Sequence, residues 1–268
     1  MYGYNTTESK KLDVVIPIIP RDFEKITANL PFIQKHIQPE NIILIGPTPV
    51  AQLVNHNNRF EKSIKLHFID ENELIYVKKV KKLCNCGRSG WYIQQFIKMQ
   101  YSKICTKPYY LIWDADTMPL KNIQMFNDSG KPFFDVKTEY HRPYFITMKK
   151  LLPDLGKQHN FSFISEHMIV RKQFMNELID KIQSCSSIKG DSWYEKVINA
   201  IDSKDLRKSG FSEFETYGTF VQKYYPQVYE IRKWKSLRVW NGQYKARTIT
   251  EKDITLLSKN YDAVSFER

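Results

Sequence analysis

A chain of 268 residues, 42% hydrophobic and 14% aromatic, is long enough for one α/β domain with a sizeable core and too apolar for disorder over most of its length. Lysine plus arginine outnumber aspartate plus glutamate by 41 to 29, and the resulting charge of +12 either attracts polyanions (nucleic acid, acidic lipid head groups, phosphorylated glycolipids) or reflects a lysine-rich solvated surface. No apolar stretch is long enough to span a bilayer, and Lys10-Lys11 leads into no signal-peptide core, so a cytoplasmic chain touching at most a membrane surface is expected.

The polar tail through Lys11 is expected to be loose. Leu12 to Ile19 is a continuous apolar run, broken by Pro17 and stopped by Pro20, which reads as a buried parallel strand. Asp22 to Ile37 carries a helical pattern interrupted near Pro31. Asn41 to Ile45, closed by Gly46-Pro47, and Ile64 to Ile69, ending at Asp70, are further strands, and their helix-length spacers indicate βαβ units. Cys84, Cys86, Cys105 and Cys185 are too few and irregular for a disulfide framework, and Cys84-x-Cys86 has no second pair to complete a zinc site. Gly87 to Gly90 punctuates the chain before a helix over Trp91 to Ile104. A short apolar strand, Tyr109 to Trp113, then runs straight into Asp114-Ala115-Asp116. Beyond it the spacing predicts strand and turn over Phe133 to Phe145 and a strand over Phe161 to Val170. Helices are expected over Arg171 to Gln183 and Ser212 to Tyr225, followed by a basic, aromatic tail from Tyr229 packing back over the site. The whole reads as one domain, with a nucleotide-binding half (1–130), an acceptor-side half (131–228) and a C-terminal tail (229–268).

The strongest local signal is the D-x-D triplet at the end of a buried strand, because ligands of open α/β sheets bind at the carboxyl edge. On a regular strand, positions i and i+2 share a face, so Asp114 and Asp116 address one site. Hard carboxylate oxygens suit Mg²⁺ or Mn²⁺, which also bind substrate phosphates; the plain alternative is two aspartates starting a turn. A haloacid-dehalogenase-type phosphatase opens with a similar triplet. Thr117 sits one place early for it, though, and no buried strand leads into Asp191 and Glu195. A nucleic-acid-binding protein would use the charge, but no reader motif is present.

Four stretches carry a family likeness: Asp13-Val14-Val15-Ile16-Pro17, Gly90-Trp91-Tyr92-Ile93-Gln94-Gln95, Trp113-Asp114-Ala115-Asp116 and Ser212-Glu213-Phe214-Glu215-Thr216-Tyr217-Gly218. On these the chain resembles GT-A-fold glycosyltransferases of bacterial lipopolysaccharide and capsule assembly, and within them lipopolysaccharide-core fucosyltransferases. The resemblance implies a Rossmann-like mixed sheet, a nucleotide-sugar donor (GDP- or UDP-linked, GDP-fucose for the nearer likeness), a divalent metal and a glycolipid or lipopolysaccharide acceptor. It places Pro17, Arg21 and Asp70 near the base and ribose, Gln94 and Gln95 in the donor cleft, and Asp114 and Asp116 on metal and ribose.

If the reaction inverts, a carboxylate must take the acceptor proton, and Glu213 and Glu215 at a helix start are the candidates. Glu215 also fits a capping box with Ser212, which leaves Glu213 as the preferred base. His167 either contacts acceptor or phosphate, or is an internally satisfied histidine; no histidine follows it to serve as a third metal ligand. Arg232 and Lys235, interleaved with Trp234, suit a diphosphate clamp, a membrane contact, or a solvated face.

Overall fold

The structure is a computed structural model that describes residues 12–56, 64–85, 87–240 and 244–267. The tail expected through Lys11 and Cys86 of the Cys84-x-Cys86 pair lie outside the described residues. β1 (Asp13–Pro17) is buried at every position, as an unalternated Val/Ile run requires, and Pro20 opens a 3-10 turn leading into α1 (Phe23–Ile37). The interruption expected at Pro31 does not occur: Ile26, Leu30 and Ile33 are buried along one stripe, and this packing carries the helix through a lost backbone donor. β2 (Asn41–Gly46), α2 (Thr48–Asn55), β3 (Leu66–Asp70), α3 (Glu71–Leu74) and α4 (Val77–Cys84) follow.

α5 (Ser89–Gln100) ends by tightening into a 3-10 turn, and β4 (Tyr109–Trp113) and β5 (Thr117–Pro119) flank the acidic triplet. β6 (Phe133–Val136) is shorter than expected, because from Arg142 the chain is helical in α6 (Arg142–Leu151), with Pro143 in its first turn where its missing donor costs nothing. The strand expected over Phe161 to Val170 reduces to β7 (His167–Arg171), since Glu166 takes a left-handed conformation at φ 62°. α7 (Lys172–Gln183), α8 (Trp193–Ala200), α9 (Ser203–Leu206) and α10 (Glu213–Tyr224) complete the helical face. β8 (Glu230–Lys233), β9 (Ser236–Val239), α11 (Glu251–Leu257) and β10 (Ala263–Phe266) return the chain to the triplet.

The central sheet runs β3-β2-β1-β4-β7; the first four strands are parallel and β7 is antiparallel to β4. This is the mixed α/β sheet, with the acidic triplet at a strand end, that the sequence predicts. The chain moves outward from β1 through β2 to β3, then returns to add β4 on the other side of β1. That reversal is a topological switch point, which opens a crevice above the carboxyl ends of β1 and β4. A smaller sheet, β5-β10-β9, packs its own apolar cluster against Ala28 and Phe32 of α1. β6 pairs in parallel with β8. At the end of β2 a Cβ on Gly46 would lie 2.2 Å from the Ile18 carbonyl oxygen, so only glycine lets the loop after β1 cross there.

Candidate active site

Asp114-Ala115-Asp116 is a turn and not a continuation of β4. The Asp114 carbonyl accepts from the Thr117 N–H at 3.1 Å, so the turn, and not strand alternation, brings both carboxylates to one cleft. Four further contacts fix that turn. Asp114 N–H donates to the Glu166 carbonyl (2.9 Å), Phe266 N–H donates to the Asp116 carbonyl (2.9 Å), and Asn29 Nδ2 donates to the Ala115 carbonyl (2.9 Å). The buried Trp113 indole donates to the Thr117 carbonyl at 2.8 Å. The side chains of Asp114 and Asp116 are 34% and 35% exposed, open towards a cavity of about 420 Å³. Burial first, and then Asp114 beside it, pushes the Asp116 carboxyl up to about 7, against the pull of Lys25.

α5 forms one wall. Trp91, Gln94, Gln95 and Lys98 follow at helical spacings of three and four, so they share a face, and all line the cavity. Lys98, the only charged residue of α5, is 8% exposed; its ammonium donates to Asp114 Oδ1 at 2.7 Å and to Glu213 Oε1 at 2.9 Å. Burial alone would lower the Lys98 ammonium, but Asp114 and Glu213 overcome it and hold the group above its ordinary value. Gln95 Oε1 accepts from the Glu213 N–H at 3.1 Å, so α5 satisfies both the backbone and the side chain at the start of α10. Trp91 stacks on Tyr144 (6.4 Å, 17°) with the Arg88 guanidinium 5.0 Å from the Trp91 ring, giving the cavity an apolar, cation-capped side.

The opposite wall is ionic. Arg238 pairs with Glu139 (2.7 Å), Glu166 (2.7 Å) and Glu267 (3.3 Å). Glu166, almost fully buried, also accepts from Lys137 (2.8 Å), the Trp234 indole (3.0 Å) and Ser236 (2.8 Å). Burial would raise the Glu166 carboxyl, yet Lys137 and Arg238 hold it below its ordinary value of 4.5. A depressed carboxyl contributes stability that is complete above 4.5 and is lost as pH falls through the lower folded value. The melting temperature is therefore expected to fall below pH 4.5, and Glu166→Gln to lower it at neutral pH while flattening that acid limb. An unchanged acid limb in the variant would show that Glu166 is not its source.

The other predicted site residues separate. Pro17, Gln94, Gln95, Asp114, Asp116 and Glu213 all line the one cavity. Arg21 is 63% exposed and pairs with its neighbour Asp22. Asp70 is occupied as the N-cap of α3: it accepts from the Asn72 N–H (2.9 Å) and Thr48 Oγ1 (2.7 Å) within a capping box closed by Glu73. Glu215 lines no part of the cavity. Ser212 does accept from the Glu215 N–H, but the Glu215 carboxylate turns to Ser162 Oγ and not back to the cap, so only half of the expected capping box forms. Arg232 forks onto Asp135 (2.6 and 2.7 Å) and, with Lys235, lines a different cavity beside Lys121 and Lys259; neither reaches the cleft. His167 is buried, bonded to Asp135 (2.9 Å) and the Ser165 carbonyl (2.9 Å), between the rings of Trp113 and Trp234. It is the internally satisfied histidine. Asp191 and Glu195 pair with Lys79 and line no part of the cleft.

Lys98, Arg88, Tyr144, Glu139 and Glu267 are cavity residues that sequence reasoning missed. Lys98 alone had a signal: a single cation four and three places after Gln94 and Gln95 in an apolar helix. Glu139 and Glu267 come from loops that only the tertiary fold brings near Asp114.

The donor set suits a hard cation in part. Two adjacent carboxylates, each a third open, match a Mg²⁺ or Mn²⁺ anchor whose other positions are filled by water and phosphate oxygen. Among the described residues, however, no group of three or more His, Cys, Asp or Glu is placed to hold a metal ion.

These features define an α/β protein with an acidic cleft at the sheet's switch point, walled by aromatics and an ionic network. Residues 9–240 match the family of unknown function DUF6492, and the chain belongs to that family. No curated protein matches it. Among solved structures it is similar to mouse xyloside xylosyltransferase 1, at 10% identity and TM-score 0.45 over 97% of this chain and 98% of that one. It is also similar to an active-site mutant of LgtC, at 9% identity and TM-score 0.48 over 95% of this chain and 87% of that one. The bifunctional glycosyltransferase WbbM is similar at 11% identity and TM-score 0.47, over 98% of this chain and 47% of that one. No helix among the described residues is long and apolar enough to cross a membrane.

Proposed function

We propose that the chain is a nucleotide-sugar-dependent glycosyltransferase of the GT-A type. The observation that carries the reading is the convergence, in one cavity of about 420 Å³, of the D-x-D turn, the polar face of α5 and Glu213 at the head of α10. In this reading the base and ribose of the donor lie between Pro17 and the Gln94–Gln95 face, with the diphosphate towards Asp114 and Asp116. A divalent metal bound there would neutralise charge developing on the leaving diphosphate. The wall of Trp91 and Tyr144 offers a sugar an apolar face. Glu213 takes the proton from the acceptor hydroxyl as its oxygen bonds to the anomeric carbon and the bond to the diphosphate breaks. Inversion rests on that role for Glu213. GDP-fucose as donor, and a lipopolysaccharide or capsular glycan as acceptor, rest on the four stretches of family resemblance.

Thermal shifts with UDP-, GDP- and CMP-linked sugars test this, each with Mn²⁺ and with EDTA. A ligand at about 100 times its Kd stabilises by roughly 2.7 kcal/mol, which for a chain of this size is roughly 5–10 °C. One nucleotide class is expected to give that shift, and Asp116→Ala to abolish it. No shift from any nucleotide, with the folded protein confirmed, would remove the reading.

A further inference from the structure

The D-x-D pair already has a cation of its own. The Lys98 ammonium, 8% exposed, touches Asp114 Oδ1 at 2.7 Å and Glu213 Oε1 at 2.9 Å, with the Phe214 ring 4.6 Å away. An ammonium offers donors and no acceptor, so this geometry serves anions only. Gln95 of the same helix holds the Glu213 N–H, which keeps α5 and α10 together around the bridge. A second lysine stands by the other carboxylate: Lys25 Nζ lies 4.0 Å from Asp116 Oδ2 and is anchored by donating to the Phe266 carbonyl at 2.6 Å. Lys98 thus bridges Asp114 and Glu213, while Lys25 stands 4.0 Å from both Asp116 and Asp22. A divalent cation needs uncompensated anionic oxygens, and at Asp114 it meets an ammonium at contact distance.

We propose that Lys98 is a built-in counter-cation of the D-x-D pair, which keeps divalent metal off Asp114 until a diphosphate brings its own charges into the cleft. Metal and donor then bind cooperatively, each raising the affinity for the other by the same factor. The diphosphate half of this inference rests on the glycosyltransferase reading; the competition between Lys98 and metal does not.

The test is Mn²⁺ binding to the nucleotide-free chain, followed by the electron paramagnetic resonance of the free ion. The wild type is expected to bind weakly, Lys98→Arg to bind as weakly, and Lys98→Met to bind about tenfold tighter or more. Adding Asp114→Asn to Lys98→Met is expected to cancel the gain. Lys98→Met leaves the buried Glu213 without its partner, so the double variant Lys98→Met/Glu213→Gln keeps the experiment decisive if the single variant does not fold; it too is expected to bind about tenfold tighter. Folded Lys98→Met, or the double variant, binding Mn²⁺ no tighter than wild type overturns the role of Lys98. A tenfold gain in the variants supports the role of Lys98; a wild-type Mn²⁺ affinity unchanged by nucleoside diphosphate would overturn the cooperative half of the proposal, whereas the glycosyltransferase reading falls only if no nucleotide sugar stabilises the chain.

Discussion

Glu213→Gln is expected to lower turnover by about 10²–10⁴-fold while leaving donor-induced thermal stabilisation intact. Glu213 is buried at the head of α10, and its Oε1 is held by Lys98, yet among the described residues its Oε2 accepts no hydrogen bond. Glutamine keeps the shape and an acceptor for Lys98, which retains Asp114 as its ionic partner, so the fold should survive the change. What is lost is the ability to take a proton. Glu215→Gln is the matched control. Burial raises the Glu215 carboxyl and Ser162 engages it away from the cleft, so its amide is expected to cost little turnover. Release of nucleoside diphosphate with the matched donor and a glycan acceptor is the measurement. Wild-type turnover by a stable Glu213→Gln chain would end the case for this residue as the base, and with it the argument for inversion.

Gly218→Ala is expected to destabilise the fold by about 1–3 kcal/mol or more. Gly218 lies mid-way along α10, where glycine costs about 1 kcal/mol relative to alanine, so the position is occupied for another reason. A Cβ there would sit 2.2, 2.4 and 2.5 Å from three atoms of the Phe163 ring. That ring is itself buried against Phe134 (5.2 Å) and Phe161 (5.3 Å), so it has nowhere to move. Overpacking of this kind costs about 1–3 kcal/mol or more, roughly 3–10 °C in melting temperature for a chain of this size. Gly90→Ala, also helical but with nothing within 4 Å of its Cβ, is expected to leave the melting temperature level or raise it. Phe163→Leu introduced into Gly218→Ala should recover part of the loss by clearing the ring. Equal stability of Gly218→Ala and wild type would mean that the close approach of α10 to Phe163 is not what demands glycine.

Much of the fold was legible because its elements are local. β1, β2 and β4 are apolar runs with turn signals at their ends, and α5, α7 and α10 carry one-sided apolar spacing, so short-range chemistry suffices to place them. The elements that escaped are those without a local signature. β10 is four residues long and exists because β5 and β9 flank it, and β8 is largely exposed along its length and, among the described residues, pairs with β6 alone. The over-long strand read across Phe161 to Val170 failed because one left-handed residue, Glu166, lets its carbonyl accept from Asp114 and its carboxylate reach Arg238. No apolar pattern encodes that turn.

The same division governs the site. The placing of the D-x-D triplet at a buried strand's end, of Gln94 and Gln95 on one helix face and of Glu213 at a helix start is legible in the sequence. The turn that aims Asp114 and Asp116 into one cleft, however, is held by Glu166, Phe266 and Asn29, which only the tertiary structure brings there. Arg232, Lys235 and Asp70 have suitable chemistry but other partners: Asp135 takes Arg232, Lys235 faces a different cavity, and the start of α3 takes Asp70. Only the tertiary structure could decide that, because a charged side chain goes to the counter-charge or unpaired backbone group nearest in space, and sequence distance says nothing of that. Lys98 is the clearest case. Its place on the cleft face was readable from its spacing to Gln94, but its two partners lie 16 and 115 residues away, and folding alone brings them to one ammonium.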